Sequence, residues 1–204
     1  MFEDAVEVLK AKDPVLCEII NKVGPCTLAL RQDAFKALAE SILYQQLSIK
    51  AAATIVKRFT AIYPNSSFPS PKEILSTPEE KLREAGVSNQ KARYLKDLSR
   101  KFLDGTVTPS NFPDMSDEEV IEHLTKVKGI GRWTAEMFLI FSLGRLNVLP
   151  ADDIGLQKAV QRHYGLGDSP SKEKLSNLAK RWEPYCTVAT WYLWKSLEVT
   201  PLRQ

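Results

Sequence analysis

Two glycines separated by one residue, Gly129 and Gly131, most constrain the fold of this 204-residue chain. Glycines spaced in this way indicate a backbone that bends tightly or approaches another group closely. Upstream, Ser116 followed by Glu119 is typical of a capping box, and apolar residues at helical spacing follow it. Downstream, apolar residues recur at helical spacing from Trp133 onward. The sequence therefore predicts a helix, a tight hairpin and a second helix.

This arrangement predicts an anion-binding site at the hairpin. The first N–H groups of a helix have no partner within the helix, and the positive end of the helix dipole lies beside them. Together they bind anions such as phosphate. We expect the main-chain N–H groups of Gly129, Gly131 and Thr134 to bind a phosphate.

Helical periodicity extends along the whole chain, and the alternation typical of β-strands is absent. Asp33, Ser48 and Ser88 each precede an apolar-patterned segment and are predicted to cap a helix. A further helix is predicted from Ile154 to His163. With 44% hydrophobic residues, the chain can bury a core in one or two small domains. We predict an all-α fold.

Composition restricts the function only weakly. A formal charge of +3 permits nucleic acid binding without requiring it. The three cysteines, Cys17, Cys26 and Cys186, have neither the spacing of a zinc site nor the number for an iron–sulfur cluster. The N-terminus lacks an apolar segment typical of a signal peptide, and no run of about 18 apolar residues could span a membrane. These features predict a soluble, intracellular protein.

An acidic pair, Asp152-Asp153, directly precedes the helix predicted from Ile154. Pro150 stiffens the approach to this pair and discourages helix in the residue before it. Two interpretations remain open at this point. The carboxylates could only cap the helix that follows, or one of them could take part in chemistry.

The hairpin, the tryptophan after it and the acidic pair occur in one register, with Trp133 standing 20 residues before Asp153. This register resembles the helix-hairpin-helix DNA glycosylase superfamily, and within it the 3-methyladenine DNA glycosylases of the AlkA/Mag type. The resemblance extends from about residue 35 to residue 194. It implies a two-lobed, all-α fold in a single domain over residues 1–204, with lobes of approximately 1–47 plus 122–204 and 48–121.

The resemblance implies a monofunctional DNA glycosylase that initiates base excision repair. Such an enzyme flips an alkylated, cationic purine, for example 3-methyladenine or 7-methylguanine, out of double-stranded DNA and hydrolyses its N-glycosidic bond. Asp153 matches the catalytic aspartate of the family. Trp133 stands where strand-cutting relatives have a lysine, so no lyase step is expected. The family resemblance requires no cofactor, and we expect a monomer that acts on DNA.

The resemblance also assigns the contacts with the flipped base. Four residues are expected to line the base pocket: Trp133, Trp194, Met137 and Tyr44. An indole stacks well on a cationic base through a cation–π contact. Where the bacterial pattern has a tyrosine one turn after the first tryptophan, this chain has Met137. For Trp194 a position in the core is the open alternative, because Trp182 and Trp191 are nearby in the sequence.

A wedge and a cation site complete the expected machinery. Leu47 would fill the space left by the flipped nucleotide, with Gln46 beside it, unless Leu47 is a core residue at a helix junction. The resemblance adds a structural Na⁺ or K⁺ at the hairpin, held by the main-chain carbonyls of Thr125, Val127 and Gly129.

Several alternatives remain open from the sequence. The chain could be a non-catalytic helix-hairpin-helix module that only binds DNA, or a monofunctional glycosylase for mismatched or oxidised bases. The sequence does not select among the alkylated bases. A basic helix could either present a solvated face or contact DNA; its basic residues are Lys91, Arg93, Lys96, Arg100 and Lys101.

Overall fold

A computed structural model describes residues 2–199 of the chain. These residues form α-helices and two short 3₁₀ segments, Pro109–Asp114 and Lys180–Trp182, and no β-strand, so the predicted all-α fold is confirmed. None of the described helices is both long and apolar enough to cross a membrane. The helices are α1 (Glu3–Lys12), α2 (Pro14–Val23), α3 (Ala34–Tyr44), α4 (Ile49–Ala61), α5 (Pro71–Ser76), α6 (Glu79–Glu84), α7 (Asn89–Leu103), α8 (Asp117–Thr125), α9 (Arg132–Phe141), α10 (Ile154–His163), α11 (Lys172–Ala179) and α12 (Cys186–Val199).

The helix starts follow the predicted caps. The side chains of Asp33, Ser48 and Ser88 accept backbone N–H groups at the starts of α3, α4 and α7. Ser116 and Glu119 form the predicted capping box of α8, with both reciprocal hydrogen bonds present. Side-chain acceptors thus satisfy N–H groups that have no partner within their helices.

The chain folds into two compact units. One contains the described residues up to Leu30 and those from Leu139 onward, and the other contains Arg31–Phe138. The boundaries between the two units lie at 30/31 and 138/139, whereas the predicted lobe boundaries lie at 47/48 and 121/122. Residues 31–47 and 122–138 belong to the second unit, in which α3 and the hairpin are hydrogen-bonded to α7.

The first unit is organised around the buried carboxylate of Asp13. This side chain is fully buried, and its Oδ1 caps α2 by accepting the N–H groups of Val15 and Leu16. Its Oδ2 accepts the Tyr164 hydroxyl at 2.7 Å and the Trp182 indole N–H at 3.0 Å. Burial and the neighbouring carboxylate raise the pKa of Tyr164, which therefore stays a hydrogen-bond donor. Asp13 thus fixes the C-terminal end of α10, the helix that begins after Asp153.

The second unit is built around α7, which packs against α3, α5 and α6. Leu95 and Leu98 of α7 are fully buried in this core, as are Phe59 and Ile74. The Phe35 ring of α3 meets the Phe102 ring of α7 edge-on, with centroids 5.0 Å apart. This packing fixes α7 rigidly, and the hairpin is attached to the same helix.

We expect Asp13→Ala to lower the free energy of unfolding by about 2–4 kcal/mol, because the buried Trp182 indole, the part-buried Tyr164 hydroxyl and a helix start lose their acceptor. Asp33→Ala removes an exposed cap of α3 and should cost only about 1 kcal/mol. Urea denaturation of the two variants makes the comparison. Equal losses would contradict a structural role for the Asp13 carboxylate beyond capping.

Candidate functional site

The hairpin between α8 and α9 has the tight geometry that its glycines predict. Gly129 adopts φ +87°, a conformation that disfavours residues with a side chain. The Ile130 N–H donates to the Val127 carbonyl at 3.1 Å, and both of these side chains are buried. The two apolar side chains anchor the hairpin in the second unit, and the glycine backbone turns between them.

Gly129 is also required by a close contact with α7. A Cβ atom built on Gly129 would lie 2.1 Å from Cδ2 and 2.6 Å from Cγ of Tyr94. Because the overlap includes the root of the ring, the whole Tyr94 side chain would have to move. At Gly131 an added Cβ would meet nothing within 4 Å. The two glycines therefore serve different purposes, and only Gly129 is needed for packing.

A buried carboxylate on α7, three residues after Tyr94, also binds the segment that leads into the hairpin. Asp97 is 7% exposed, and its Oδ2 accepts the backbone N–H of Lys128 at 2.9 Å. Its charge is balanced by Arg100 at 3.6 Å and Lys101 at 3.9 Å. Asp97 thus satisfies a backbone N–H group just before the hairpin glycines.

Helix α9 begins directly after the hairpin, where its first N–H groups have no acceptor within the helix. Thr134 lies in this first turn and is buried. Arg132 forms ion pairs with Glu118 of α8 and with Glu136, so the charge of its guanidinium is balanced within the hairpin region. The hydrogen bond from Arg132 lowers the pKa of Glu118. These contacts tie the start of α9 to α8. The phosphate site at the backbone turn stays a prediction.

The predicted base-pocket residues of the second unit are partly exposed. Trp133, in the first turn of α9, is 47% exposed, and Met137 one turn later is half-buried. Tyr44 ends α3 and is 38% exposed. Large apolar side chains are usually buried, so the exposure of these aromatic residues is compatible with the predicted contact with a base, which stays a prediction.

The predicted wedge lies in the short turn between α3 and α4, residues 45–48, which we call the wedge turn. Gln46 has φ +56°, which is uncommon for a residue other than glycine. Leu47 follows it and is 40% exposed, so its side chain is not a core residue within the second unit. Ser48 then caps α4. The turn therefore presents an apolar side chain on a backbone held in a strained conformation.

The wedge turn is bonded to the hairpin. The Gln45 side-chain amide donates to the Gly129 carbonyl at 2.7 Å. Lys91 of α7 donates to the carbonyls of Leu43 and Gln45, each at 2.8 Å. Burial lowers the pKa of Lys91. Lys91 thus binds the C-terminal carbonyls of α3, and it is not part of a solvated basic face.

Two of the three carbonyls predicted to hold a monovalent cation already accept a hydrogen bond. The Gly129 carbonyl accepts from Gln45, and the Val127 carbonyl accepts from Ile130. Each carbonyl oxygen has a second lone pair, so these bonds leave room for an ion. The cation site with Thr125 stays a prediction.

In the first unit, Asp153 occupies the position directly before α10 and caps it. Its Oδ1 accepts the Leu156 N–H at 2.6 Å and the Trp194 indole N–H at 2.7 Å. The Trp194 ring in turn stacks on Phe141, with centroids 6.0 Å apart and planes at 16°. Capping and a functional role are therefore compatible, because the cap and the indole together fix the orientation of the carboxylate. Trp194, predicted as a pocket aromatic, is the partner of Asp153.

Asp152 is placed differently from its neighbour. Its Oδ2 pairs with Lys172 of α11 at 2.6 Å, and its side chain is 47% exposed. Asp152 does not cap α10, which is one of the roles that the sequence left open for it. A largely exposed ion pair contributes little to stability, so the two carboxylates can be compared by substitution.

Gly155 keeps space for the Asp153–Trp194 pair. A Cβ atom on Gly155 would lie 3.0 Å from Asp153 Oδ1 and 3.3 Å from Trp194 Cδ1. Contacts this short would push the carboxylate and the indole apart. The absence of a side chain at this helical position is thus explained by packing rather than by backbone conformation.

The loop that leads to Asp153 is anchored on the start of α12. The buried Thr187 hydroxyl donates to the Arg145 carbonyl at 2.6 Å and accepts the Val148 N–H at 3.0 Å. At the end of the loop, the Gln157 amide donates to the Ala151 carbonyl at 2.8 Å. Because Trp194 also lies on α12, one helix holds both the loop and its carboxylate.

Sequence reasoning missed the positioning roles of three residues on α7, although it named Lys91 among the basic residues of that helix. Lys91, Tyr94 and Asp97 stand three residues apart on α7, a spacing that places them on one helix face. The sequence shows this spacing, but the spacing does not indicate which part of the protein the helix face contacts. Gly155 offered a weaker signal, since a glycine inside a helix usually has a packing or functional reason.

Comparison with known proteins identifies the family. Residues 39–184 match the model of the HhH-GPD superfamily base excision DNA repair proteins. The chain belongs to this family. The match covers the wedge turn, the hairpin and Asp153, and it ends before Trp194.

Two fission yeast relatives resemble the chain over most of its length. An alkylbase DNA glycosidase-like protein of Schizosaccharomyces pombe is 36% identical over 198 residues, which are 95% of this chain and 93% of that protein. DNA-3-methyladenine glycosylase 1 of the same organism is 36% identical over 182 residues, or 89% of this chain and 80% of that protein.

A solved structure of this HhH-GPD branch is similar as well. The 3-methyladenine DNA glycosylase Mag1 of S. pombe, in complex with abasic DNA, superposes with a TM-score of 0.84 at 35% identity. The superposition covers 94% of this chain and 95% of that chain.

We expect Gly129→Ala to destabilise the protein by at least about 2 kcal/mol, because both its positive φ and the Tyr94 ring oppose a side chain. Gly131→Ala, where space is open, should change the free energy of unfolding by no more than about 0.5 kcal/mol. Thermal unfolding of both variants makes the comparison. Adding Tyr94→Ala to Gly129→Ala should recover part of the loss. No recovery would show that the ring contact is unimportant.

Proposed function

We propose that this protein is a monofunctional DNA glycosylase that removes alkylated, positively charged purines from double-stranded DNA by hydrolysing the N-glycosidic bond. The observation that carries the proposal is the Asp153 carboxylate, which two N–H donors hold in one orientation. The names of the fission yeast relatives support an alkylated base as the substrate. The protein would act as a monomer wherever chromosomal DNA lies, in the nucleoid or the nucleus.

Asp153 would act on the sugar of the flipped nucleotide. As the glycosidic bond breaks, positive charge develops on the sugar, and a fixed carboxylate stabilises that charge. The same carboxylate can orient or activate the attacking water. Trp194 would serve as a positioning residue, since its indole N–H holds Oδ1 and its ring is stacked on Phe141.

The proposed base contacts favour a cationic purine. An exposed indole such as that of Trp133 attracts a positively charged ring through a cation–π contact, worth about 0.5–2 kcal/mol. Tyr44, Met137 and Trp194 are proposed as further contacts of the base. An alkylated base that already carries a positive charge is a good leaving group, so no strong general acid is needed.

Two elements of the second unit are proposed to bind and distort the duplex. The N–H groups of Gly129, Gly131 and Thr134 would bind a phosphate at the start of α9. Leu47 would enter the base stack and replace the flipped nucleotide, with Gln46 beside it. Unstacking costs a few kcal/mol and is easiest at a damaged pair, which adds to the selection of lesions. No cofactor is required in this proposal, and a Na⁺ or K⁺ at the hairpin would only support its backbone.

Asp153→Asn tests the catalytic assignment. The amide keeps the oxygen that caps α10 and accepts from Trp194 but removes the charge, so the fold should persist while base release falls at least a hundredfold, about 2.7 kcal/mol. The measurement is single-turnover release of 3-methyladenine or 7-methylguanine from alkylated duplex DNA. Asp152→Asn, which breaks only an exposed ion pair, is the control and should keep nearly full activity.

Two outcomes would count against this assignment. If the Asp153→Asn variant keeps more than about a tenth of the rate, a loss below about 1.4 kcal/mol, the carboxylate is not catalytic. Unmodified protein that binds duplex DNA but releases no base from a panel of alkylated, mismatched and oxidised duplexes would instead favour a non-catalytic DNA-binding module.

Trp133 sets the expected reaction type. An indole cannot form an imine with the opened sugar, so borohydride should trap no protein–DNA adduct, and the product strand should stay intact until it is treated with alkali. Trp133→Lys should lower base release, because the stacking surface is lost even though an amine is introduced. Strong borohydride trapping by the unmodified protein would contradict a monofunctional mechanism.

A further inference from the structure

A shallow groove of about 460 Å³ lies beside the hairpin in the second unit, along α7. Four of the residues that line it are basic: Arg93, Lys96, Arg100 and Lys128. Three of these belong to α7, and Lys128 directly precedes Gly129 of the hairpin. We call these four residues the basic track. The basic track and the hairpin thus share one surface.

Helix α7 divides its polar residues between two neighbouring faces. Lys91, Tyr94 and Asp97 are directed to the wedge turn and the hairpin, as their contacts show. The basic residues of the groove on α7 are spaced by three and four residues, so they follow one stripe on the adjacent face. From the first to the last, this stripe extends about 10 Å along the helix axis.

The charge of the groove is positive. Its acidic residues are Glu79 of α6 and Asp97. Asp97 is nearly buried, and its carboxylate already accepts the Lys128 N–H and pairs with Arg100. Arg100 nevertheless remains 61% exposed in its side chain, and Arg93 and Lys128 are exposed as well. The buried carboxylate therefore positions part of the basic track without cancelling its outward charge.

We propose that the DNA backbone runs from the hairpin along the basic track, and that Arg93, Lys96, Arg100 and Lys128 bind phosphates beyond the one held by the hairpin N–H groups. This inference rests on the proposed DNA substrate. Phosphates along one strand are spaced by about 3.4 Å of helix axis in B-form DNA, so a stripe of about 10 Å can serve several of them. The contacts fix the register of the duplex and carry no base specificity.

The alternative is that these residues are a solvated face that only improves solubility. The two interpretations differ in their salt dependence. Each phosphate contact that is lost reduces the slope of log K against log salt concentration by about 0.9. A solvated face that makes no phosphate contact should leave this slope unchanged.

The test uses a triple variant, Arg93→Gln/Lys96→Gln/Lys128→Gln, which leaves Arg100 in place because it pairs with Asp97. Binding to an undamaged duplex is titrated over a range of salt concentrations. We expect the absolute slope to decrease by about 2.7, which corresponds to three lost contacts. The affinity at about 0.1 M salt should fall at least tenfold. At saturating protein, the single-turnover rate of base release should fall by a smaller factor than the affinity, since Asp153 and the proposed base contacts are left in place.

The matched control is Lys57→Gln/Arg58→Gln/Lys72→Gln, which removes the same charge from exposed residues that do not line the groove. An equal change of slope in both triple variants, or a change below about 0.9 in the first, would overturn the proposal. A loss of the single-turnover rate with an unchanged slope would overturn it too. If the triple variant fails to fold, Arg93→Gln and Lys128→Gln alone should each reduce the slope by about 0.9.

This experiment separates the basic track from the proposed enzymatic function. Binding to undamaged DNA requires no catalysis, so the slopes remain informative even if the unmodified protein releases no base. Conversely, the unmodified protein could release base while both triple variants keep its salt slope. That result would support the glycosylase function and reject the basic track.

Discussion

The packing of the Tyr94 ring against the backbone of Gly129 sets the geometry of the hairpin and of the wedge turn in the second unit. A side chain at residue 129 would overlap the ring at its root, so the hairpin can approach α7 this closely only with glycine. The close approach brings the Lys128 N–H within reach of Asp97 and the Gly129 carbonyl within reach of Gln45. Through these bonds, one rigid helix holds the hairpin and the wedge turn together.

In the first unit, a small number of contacts likewise fixes the carboxylate of Asp153. Asp153 caps the helix that follows it and accepts the indole N–H of Trp194, whose ring is fixed by Phe141. Fixed orientation matters for such a group, because a carboxylate that stabilises developing charge is most effective when it needs no reorganisation during the reaction. Asp13 fixes the far end of the same helix, so α10 is restrained at both ends.

Two charged side chains of α7 have structural contacts that their positions in the sequence do not reveal. Asp97 is buried and satisfies a backbone N–H, yet it also orders the neighbouring cation Arg100. Lys91 is basic, but its ammonium group binds the carbonyls that end α3 and join it to the wedge turn. A basic residue in a basic helix therefore does not necessarily contact DNA. Its role depends on what the helix face that carries it contacts in the folded protein.

The sequence by itself determined the helices, their caps and the family register, because these depend on residues close together in the chain. Ser116 with Glu119, the glycine hairpin and the spacing from Trp133 to Asp153 are local signals of this kind. Only the tertiary structure decided what each face contacts. The bonds between Gln45 and Gly129 and between Asp153 and Trp194 join residues 84 and 41 positions apart. Helical spacing shows which residues share a face, but the partner of that face depends on how distant segments pack, so Tyr94, Asp97 and Gly155 gained their roles only in the folded protein.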